Sequence, residues 1–331
     1  MKAIKILTMA ALATAVFASC SNEDGLPQSN YPADNVVRIM TSVDGMNTRA
    51  SYGNSTDKLK SFGFCIQNAN SEKYTYDNIK VSQKGYNWIP ATQMLWQNST
   101  TAVDILAYAP YQETTEDANG KVKVFGKTDY AFSVKEDQSN AEDYSSDLIV
   151  YKKTGFKPES DLNTNQAVNV AFTHLLSQLN FIIELRDQFN TNNNTVTKGF
   201  VTDVKVNGTI ISSKVDFSAS PISVQVDGTQ AAAITPETTG FTPAENATDH
   251  AVFNYSAIVI PQTVTAGNFC ISFKVNGTEY IWAATDAVTF ASGLSHKLHL
   301  LVGKDVVQGG AISAKPWKEG TTGTTGSLET D

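Results

Sequence analysis

The chain has 331 residues, with 25 Lys and Arg against 33 Asp and Glu, a formal net charge of −8, and only 18% charged residues. An acidic chain of this kind excludes nucleic acid and a polybasic membrane patch as modes of binding, because both need concentrated positive charge. The length suits two domains of ordinary size, and three cysteines are too few for a disulfide framework.

At the start, MKAIKILTMAALATAVFASC places Lys2 and Lys5 ahead of an uncharged, mostly apolar run from Ile6 to Phe17. That run is shorter than the about 20 residues a bilayer-spanning helix needs. It reads as a secretory signal that takes no part in the fold. Small Ala18 and Ser19 stand directly before Cys20, an arrangement that resembles a bacterial lipoprotein signal. The resemblance implies that residues 1–19 are removed and that Cys20 is acylated and becomes the first residue. An ordinary secretory cleavage nearby is the alternative. The acidic SNED behind Cys20 is similar to the surface-export signal of Bacteroidota lipoproteins. Each buried methylene of an acyl anchor contributes about 0.8 kcal/mol, so several chains hold a protein firmly to a membrane.

Residues 20–35 are polar, contain Pro27 and Pro32, and read as a tether. Next, NVVRIMTSV alternates so that Val37, Ile39, Thr41 and Val43 share one face of a half-buried strand. The connector GMNTRASYGNS follows and carries Arg49 beside Ala50; Arg38 and Arg186 are the only other arginines. Taken alone, Arg49 reads as a solvated loop residue. KLKSFGFCIQNAN is a second strand, with Phe62, Phe64 and Ile66 on one face and Gly63 and Cys65 on the other. YTYDNIKVSQKGYNWIP gives a further strand and a turn, AVDILAYAPYQ an apolar strand stopped at Pro110, and DYAFSVKED another alternating stretch. SSDLIVYKK reads as a short strand or turn. The polar TGFKPESDLNTNQ then separates two halves, 36–166 and 167–331, with the boundary near Gln166.

The second half opens with AVNVAFTHLLSQLNFIIELRD, where Leu179, Phe181, Ile183 and Leu185 alternate as a strand, while Leu175 and Leu176 offer a helical turn as an alternative. Asn207-Gly208 and Asn276-Gly277 each follow an alternating apolar run. Both predict hairpins, because Asn-Gly accepts the positive φ angles of a type I′ turn. YSAIVIPQT and HKLHLLVGKD complete a set of short, regularly spaced strands. That set implies an all-β fold of sandwiches.

Little here points to chemistry. There is no GxSxG elbow, no HExxH pair and no P-loop. His296 and His299 lie three apart on one strand, so they point to opposite faces and do not share a metal without a bulge. His174 sits in an apolar run and reads as a hydrogen-bonded core residue. Glu113, Glu116 and Asp117 read as a solvated acidic face without the spacing of a calcium loop. Trp88, Trp96, Trp282 and Trp317 would stack on sugars if exposed, but tryptophan in strands belongs more often to a core. Cys65 and Cys270 each sit in an apolar strand pattern and read as small hydrophobes rather than a disulfide. An enzyme, a cofactor and a bound metal are therefore not expected.

Several segments, in order, resemble the fimbrillin family of Bacteroidota, the Mfa-like and FimA-like pilins of type V pili. KLKSFGFCI is similar to its early strand with a Phe-Gly step. YNWIPATQMLWQNSTTAVDILAYAPY is similar to its pair of tryptophans followed by an aliphatic-Ala-Tyr-x-Pro pattern. SSDLIVYKK, VAFTHLLSQLNFII, AIVIPQT, GTEYIWAATDAVTFASGLSHKLHLLVG and ISAKPWKEG resemble its later blocks, so that the likeness runs from about Val36 to Gly320.

The resemblance implies two transthyretin-like β-sandwich domains in tandem and a lipoprotein precursor carried to the outer-membrane surface and into a fimbrium. It also implies a role for Arg49. In polymerising members an Arg-specific protease cuts after an arginine in the loop behind the first strand. The lipid and strand 36–49 leave, and a strand from another subunit fills the groove. Here Arg49-Ala50 matches the scissile bond, and Val37, Ile39, Thr41 and Val43 would be the groove-filling side chains of the removed strand. The implied donor is the C-terminal region, where Ile312 and Ala314 alternate and Trp317 is a candidate anchor before a polar tail. Pro316 would interrupt a central strand. The expected partners are other fimbrial subunits, the membrane through the lipid, the protease, and a host or bacterial surface ligand. The alternative is a lipid-anchored glycan-binding lipoprotein that never polymerises, and its mark would be exposed aromatic side chains.

Overall fold

Alternating apolar residues punctuated by Gly, Pro and Asn produce strands almost throughout. The computed structural model describes residues 30–43, 58–113, 123–190 and 196–317. The first strands are β1 (Arg38–Val43), β2 (Ser61–Gln67), β3 (Tyr76–Lys84), β4 (Asn87–Pro90), β5 (Val103–Ala109), β6 (Tyr130–Ser133), β7 (Ile149–Phe156) and β8 (Ala167–His174). They are followed by β9 (Ser177–Leu185), β10 (Val201–Thr209), β11 (Ser212–Asp216), β12 (Ser223–Val226), β13 (Ala232–Ile234), β14 (Glu237–Thr242) and β15 (Ala251–Val259). The last are β16 (Gln262–Val264), β17 (Cys270–Val275), β18 (Thr278–Ala283), β19 (Val288–Phe290), β20 (Leu294–Val302), β21 (Val307–Gly309) and β22 (Ser313–Pro316). SSDLIVYKK resolves as both a turn and a strand, with Ser145 and Ser146 in a turn and β7 beginning at Ile149. No helix among the described residues is long and apolar enough to cross a membrane.

A seven-stranded sheet runs in the order β1-β8-β7-β5-β2-β3-β4. Val37, Ile39, Phe62, Phe64, Ile105 and Phe172 meet in a first core on one of its faces. Cys65, Leu106, Tyr108, Leu148 and Val150 belong to a second core that runs on to Trp317. Burial on both faces is why VDILAYA is almost continuously apolar instead of alternating. The second core is completed by a six-stranded sheet, β14-β15-β9-β20-β21 with β22 also on β20, a four-stranded sheet, β13-β10-β17-β18, and two smaller ones.

The chain passes between the large sheets later than the polar segment suggests. The division expected near Gln166 falls ahead of β8, yet β8 pairs with both β1 and β7 in the first sheet. The crossing into β9 occurs at Leu175 and Leu176, both buried, with a bend at Leu176 in place of a helical turn. The halves also interlock. β6 pairs with β11. The buried Gln138 side chain donates to Ile258 O at 2.9 Å and accepts from Ile258 N–H at 2.7 Å, filling the place of a strand neighbour. Lys152 Nζ on β7 donates to the carbonyls of Phe217, Ser218 and Ala219 at 2.8, 2.9 and 2.8 Å.

The two Asn-Gly pairs part company. Asn276 (φ 48°) and Gly277 (φ 84°) form the predicted turn between β17 and β18. Asn207-Gly208 instead lies inside β10, where a register shift between Val206 and Thr209 marks an irregularity rather than a hairpin. Asn207 Nδ2 reaches Ser272 Oγ at 3.1 Å, and Gly208 (φ +91°) lies so close to Asn268 that a Cβ would stand 2.1 Å from its carbonyl oxygen.

The Phe-Gly step of β2 has a packing cause. Gly63 pairs with Tyr108 across the β2–β5 ladder, and a Cβ on it would stand 2.2 Å from the Tyr108 ring. That ring is buried, and its hydroxyl donates to Asn78 Oδ1 at 2.6 Å. Gly63→Ala is therefore expected to destabilise the fold by about 1–3 kcal/mol through overpacking, read as a fall in the midpoint of urea unfolding. An unchanged midpoint would show that Tyr108 moves aside freely.

Candidate functional site at the first strand and the C-terminal strap

β1 is one of the two edge strands of the seven-stranded sheet. It runs parallel to β8, from Arg38 opposite Ala167 to Val43 opposite Phe172. A backbone clamp grips the residues just before it: Val37 N–H donates to Met94 O at 3.0 Å, and Trp96 N–H to Asn35 O at 2.8 Å. Alternation sends Val37, Ile39 and Val43 into the first core, all three buried. Thr41 shares their parity, and its hydroxyl is buried without a hydrogen-bond partner. On the outer side, Arg38 forks onto Asp34 at 3.0 and 2.7 Å. That hydrogen bond holds the Asp34 carboxyl down to about 2. The pair is solvent-exposed and contributes little to stability.

β8 depends on β1. Its ladder to β7 involves only Thr173 and His174, so residues Ala167 to Phe172 pair with β1. Taking β1 away leaves β8 as an open edge beside a groove that had held three aliphatic side chains.

The C-terminal residues form a strap along the free side of β20. β21 pairs with Leu300–Val302 and β22 with Leu294–Lys297, and Gly310 N–H donates to His299 O at 3.2 Å between them. Of the candidate donor residues, Ile312 is half-buried against the second core, Ala314 is exposed, and Trp317 is 1% exposed. The Trp317 indole stacks on the His174 imidazole, with ring centroids 3.8 Å apart and planes at 9°. His174 Nδ1 meets Asp147 Oδ1 at 2.9 Å, with both side chains buried. The apolar run predicted a core histidine, and the Asp147 contact makes it one. Pro316 closes β22 on an outer strand, where its missing N–H is tolerated.

His296 and His299 take opposite faces of β20, as their spacing predicts. His299 Nε2 bonds Glu184 Oε2 at 2.6 Å, and His250 Nδ1 bonds the other oxygen of the same carboxylate. His296 is buried and accepts a hydrogen bond at Nε2 from Ala291 N–H at 3.3 Å. Burial holds its pKa below the ordinary imidazole value of 6.5. The unfolded chain then binds a proton that the folded chain refuses, so this contribution to stability is present above pH 6.5 and is lost as the pH falls below it. His296→Gln, which cannot be protonated, is expected to shrink the fall in melting temperature between pH 7.5 and 5.5. Parallel falls in variant and wild type would contradict this.

Among the described residues, no group of three or more His, Cys, Asp and Glu side chains is placed to hold a metal ion. Cys65 and Cys270 are free thiols. Trp96 and Trp317 are buried and Trp88 and Trp282 half-buried, so none of the four is an exposed platform for sugar. Cys20 and the Arg49-Ala50 bond lie outside the described residues. Sequence reasoning missed the Trp317–His174–Asp147 stack, although a lone tryptophan near the chain end and a histidine in an apolar run were both visible.

The family described as fimbrillin-like matches residues 48–317. No curated protein matches the chain. Its fold is similar to the crystal structure of a candidate cell adhesion protein from Bacteroides ovatus, with TM-score 0.61 and 13% identity, covering 86% of this chain and 99% of that one. A second candidate cell adhesion protein, from Bacteroides uniformis, has TM-score 0.56 and 17% identity, covering 86% of this chain and 100% of that one.

Proposed function

This chain belongs to the fimbrillin-like family, and from that premise we propose that it is a lipoprotein-derived subunit of a cell-surface fimbria, assembled by losing β1 and accepting a replacement strand. The observation that carries this is the placement of β1. It is an edge strand that fills the first core with Val37, Ile39 and Val43 and supplies the ladder partner of β8 over Ala167 to Phe172. A connector containing Arg49 follows it, and the family match begins at residue 48, beyond β1. An open β8 edge next to an apolar groove is the surface on which strand addition works: main-chain hydrogen bonds supply affinity and alternate side chains supply register.

The other two arginines support Arg49 as the processing site. Arg38 lies within a paired strand and is bonded to Asp34. Arg186 is tied through its backbone N–H to Val302 O at 2.9 Å and through its guanidinium to Gln308 at 2.7 Å. Acylation at Cys20 holds the precursor to the outer membrane until the cut, and the assembled fimbria carries the adhesive role.

The experiment is to determine the N-terminus of the surface-exposed protein by mass spectrometry, in wild type and Arg49→Ala, beside an unheated gel of the surface fraction. We expect wild type to start at Ala50 and to run as a strand-linked complex that collapses on boiling, and Arg49→Ala to retain acylated Cys20 and run as a monomer. Wild type that starts at Cys20 and runs only as a monomer would remove the strand-loss reading.

A further inference from the structure

The groove under β1 and the strap along β20 specify opposite things. The groove takes four side chains at alternate positions, now Val37, Ile39, Thr41 and Val43, from a strand parallel to β8. Three of these are aliphatic and buried. At the fourth, Thr41 buries a hydroxyl with no partner. An aliphatic side chain of the same shape would fill that position without the unpaired polar atom.

The chain's own strap does not meet this specification. Read in alternation from Val306, it presents Val306, Gln308, Gly310 and Ile312; read from Val307, it presents Val307, Gly309, Ala311 and Ser313. Starting at Ile312 it presents Ala314 and then Pro316, which has no N–H for the ladder. No register supplies four aliphatic groups.

The strap is also committed where it lies. Both of its strands pair with β20. Gln308 is held by Arg186, and Trp317 N–H donates to Gly293 O at 3.0 Å while its indole is sealed against His174. Gly309 lies so close beneath Trp282 that a Cβ would stand 2.1 Å from the indole nitrogen, so the backbone and ring are packed in direct contact. Withdrawing the strap would expose the β20 edge, the His174 ring and one side of Trp282 together.

We infer that this chain accepts a strand but lends none: the β1 groove takes an extended segment of a different subunit, aliphatic at four alternate positions including the Thr41 register, while residues 307–317 stay seated on their own sheet. This rests on the strand-loss reading above. The chain is then a terminal partner in assembly, since residues 306–317 of a second copy offer no register that meets the groove.

The test uses the full chain cut after Arg49 with an Arg-specific protease. Three labelled synthetic peptides are titrated into it: residues 36–43, the same peptide with Thr41→Val, and residues 306–317. The cut chain alone is run by size exclusion. We expect the 36–43 peptide to exchange in, the Thr41→Val peptide to bind about tenfold more tightly, the 306–317 peptide not to bind where the others saturate, and the cut chain to stay monomeric. Binding of the 306–317 peptide as tight as that of the Thr41→Val peptide, or self-association of the cut chain, overturns the inference and leaves strand loss standing. Failure of every peptide to enter, with β1 still bound after the cut, overturns strand loss and the inference with it.

Discussion

Trp317→Ala is expected to lower the melting temperature by roughly 6–20 °C, from a loss of about 3–5 kcal/mol for emptying a buried aromatic site and about 2–4 °C per kcal/mol in a chain of this size. The indole is among the largest fully buried side chains, and it closes one side of the second core. Removing it leaves a cavity above the His174 ring on which it stacks, next to the buried Asp147 that His174 bonds. Water then reaches a pair whose contact is strongest in a dry setting. Trp317→Phe separates these effects. A phenyl ring keeps the stack and also removes an indole N–H that is buried without a partner, so the loss is expected to fall to about 1–2 kcal/mol. Differential scanning calorimetry of the two variants checks the order. A Trp317→Ala protein that melts within the error of wild type would mean that the strap does not hold the second core closed.

The strap shows what could be read from residues alone. Ile312, Ala314 and Trp317 read as a short alternating run ending in an aromatic residue, and the structure seats that aromatic in the chain's own second core. What the anchor grips is 143 positions earlier in the chain (317 − 174), and no local pattern connects Trp317 with His174. The same limit explains the two Asn-Gly pairs. Both dipeptides tolerate positive φ, but at Gly208 the neighbouring Asn268 carbonyl and the Asn207–Ser272 bond turn the pair into an irregularity within a strand. Period-two alternation makes β1, β9, β17 and β20 legible, because each buries mainly one face; β2 is legible by its apolar run although it is buried on both. The partnership of β6 with β11 and the Gln138–Ile258 bonds are not legible, since alternation in DYAFSVKED marks a strand but not the sheet it joins. The place where the chain changes sheets was hidden for a related reason. Leu175 and Leu176 are buried like the strands around them, so no polar break marks the step.

Ile39→Asp is expected to unseat β1 without unfolding the rest of the chain. Ile39 is buried at 7% exposure in the first core, and an ionised carboxylate there would stand among apolar side chains. Leaving it buried would cost several kcal/mol. The penalty is capped, however, because a strand at a sheet edge has the option of leaving. Its hold is small to begin with: each buried aliphatic side chain contributes about 1.5–3 kcal/mol, against about 1–2 kcal/mol per residue for ordering the backbone. Once β1 departs, the introduced carboxylate would lie in water and the damage stops at the open groove. Arg38 reports this directly. Paired opposite Ala167 and bonded to Asp34, it should resist an Arg-specific protease in the wild type; in the variant it should be cut quickly, as an unpaired segment is. Mass spectrometry of the fragments distinguishes cleavage at Arg38 from cleavage at Arg49. The melting transition of the second core is expected to remain within about 2 °C of wild type, because no residue of β1 belongs to it. A single cooperative loss of both cores in Ile39→Asp would instead make β1 an integral strand of the fold, and a chain that cannot part with its first strand cannot take another in its place.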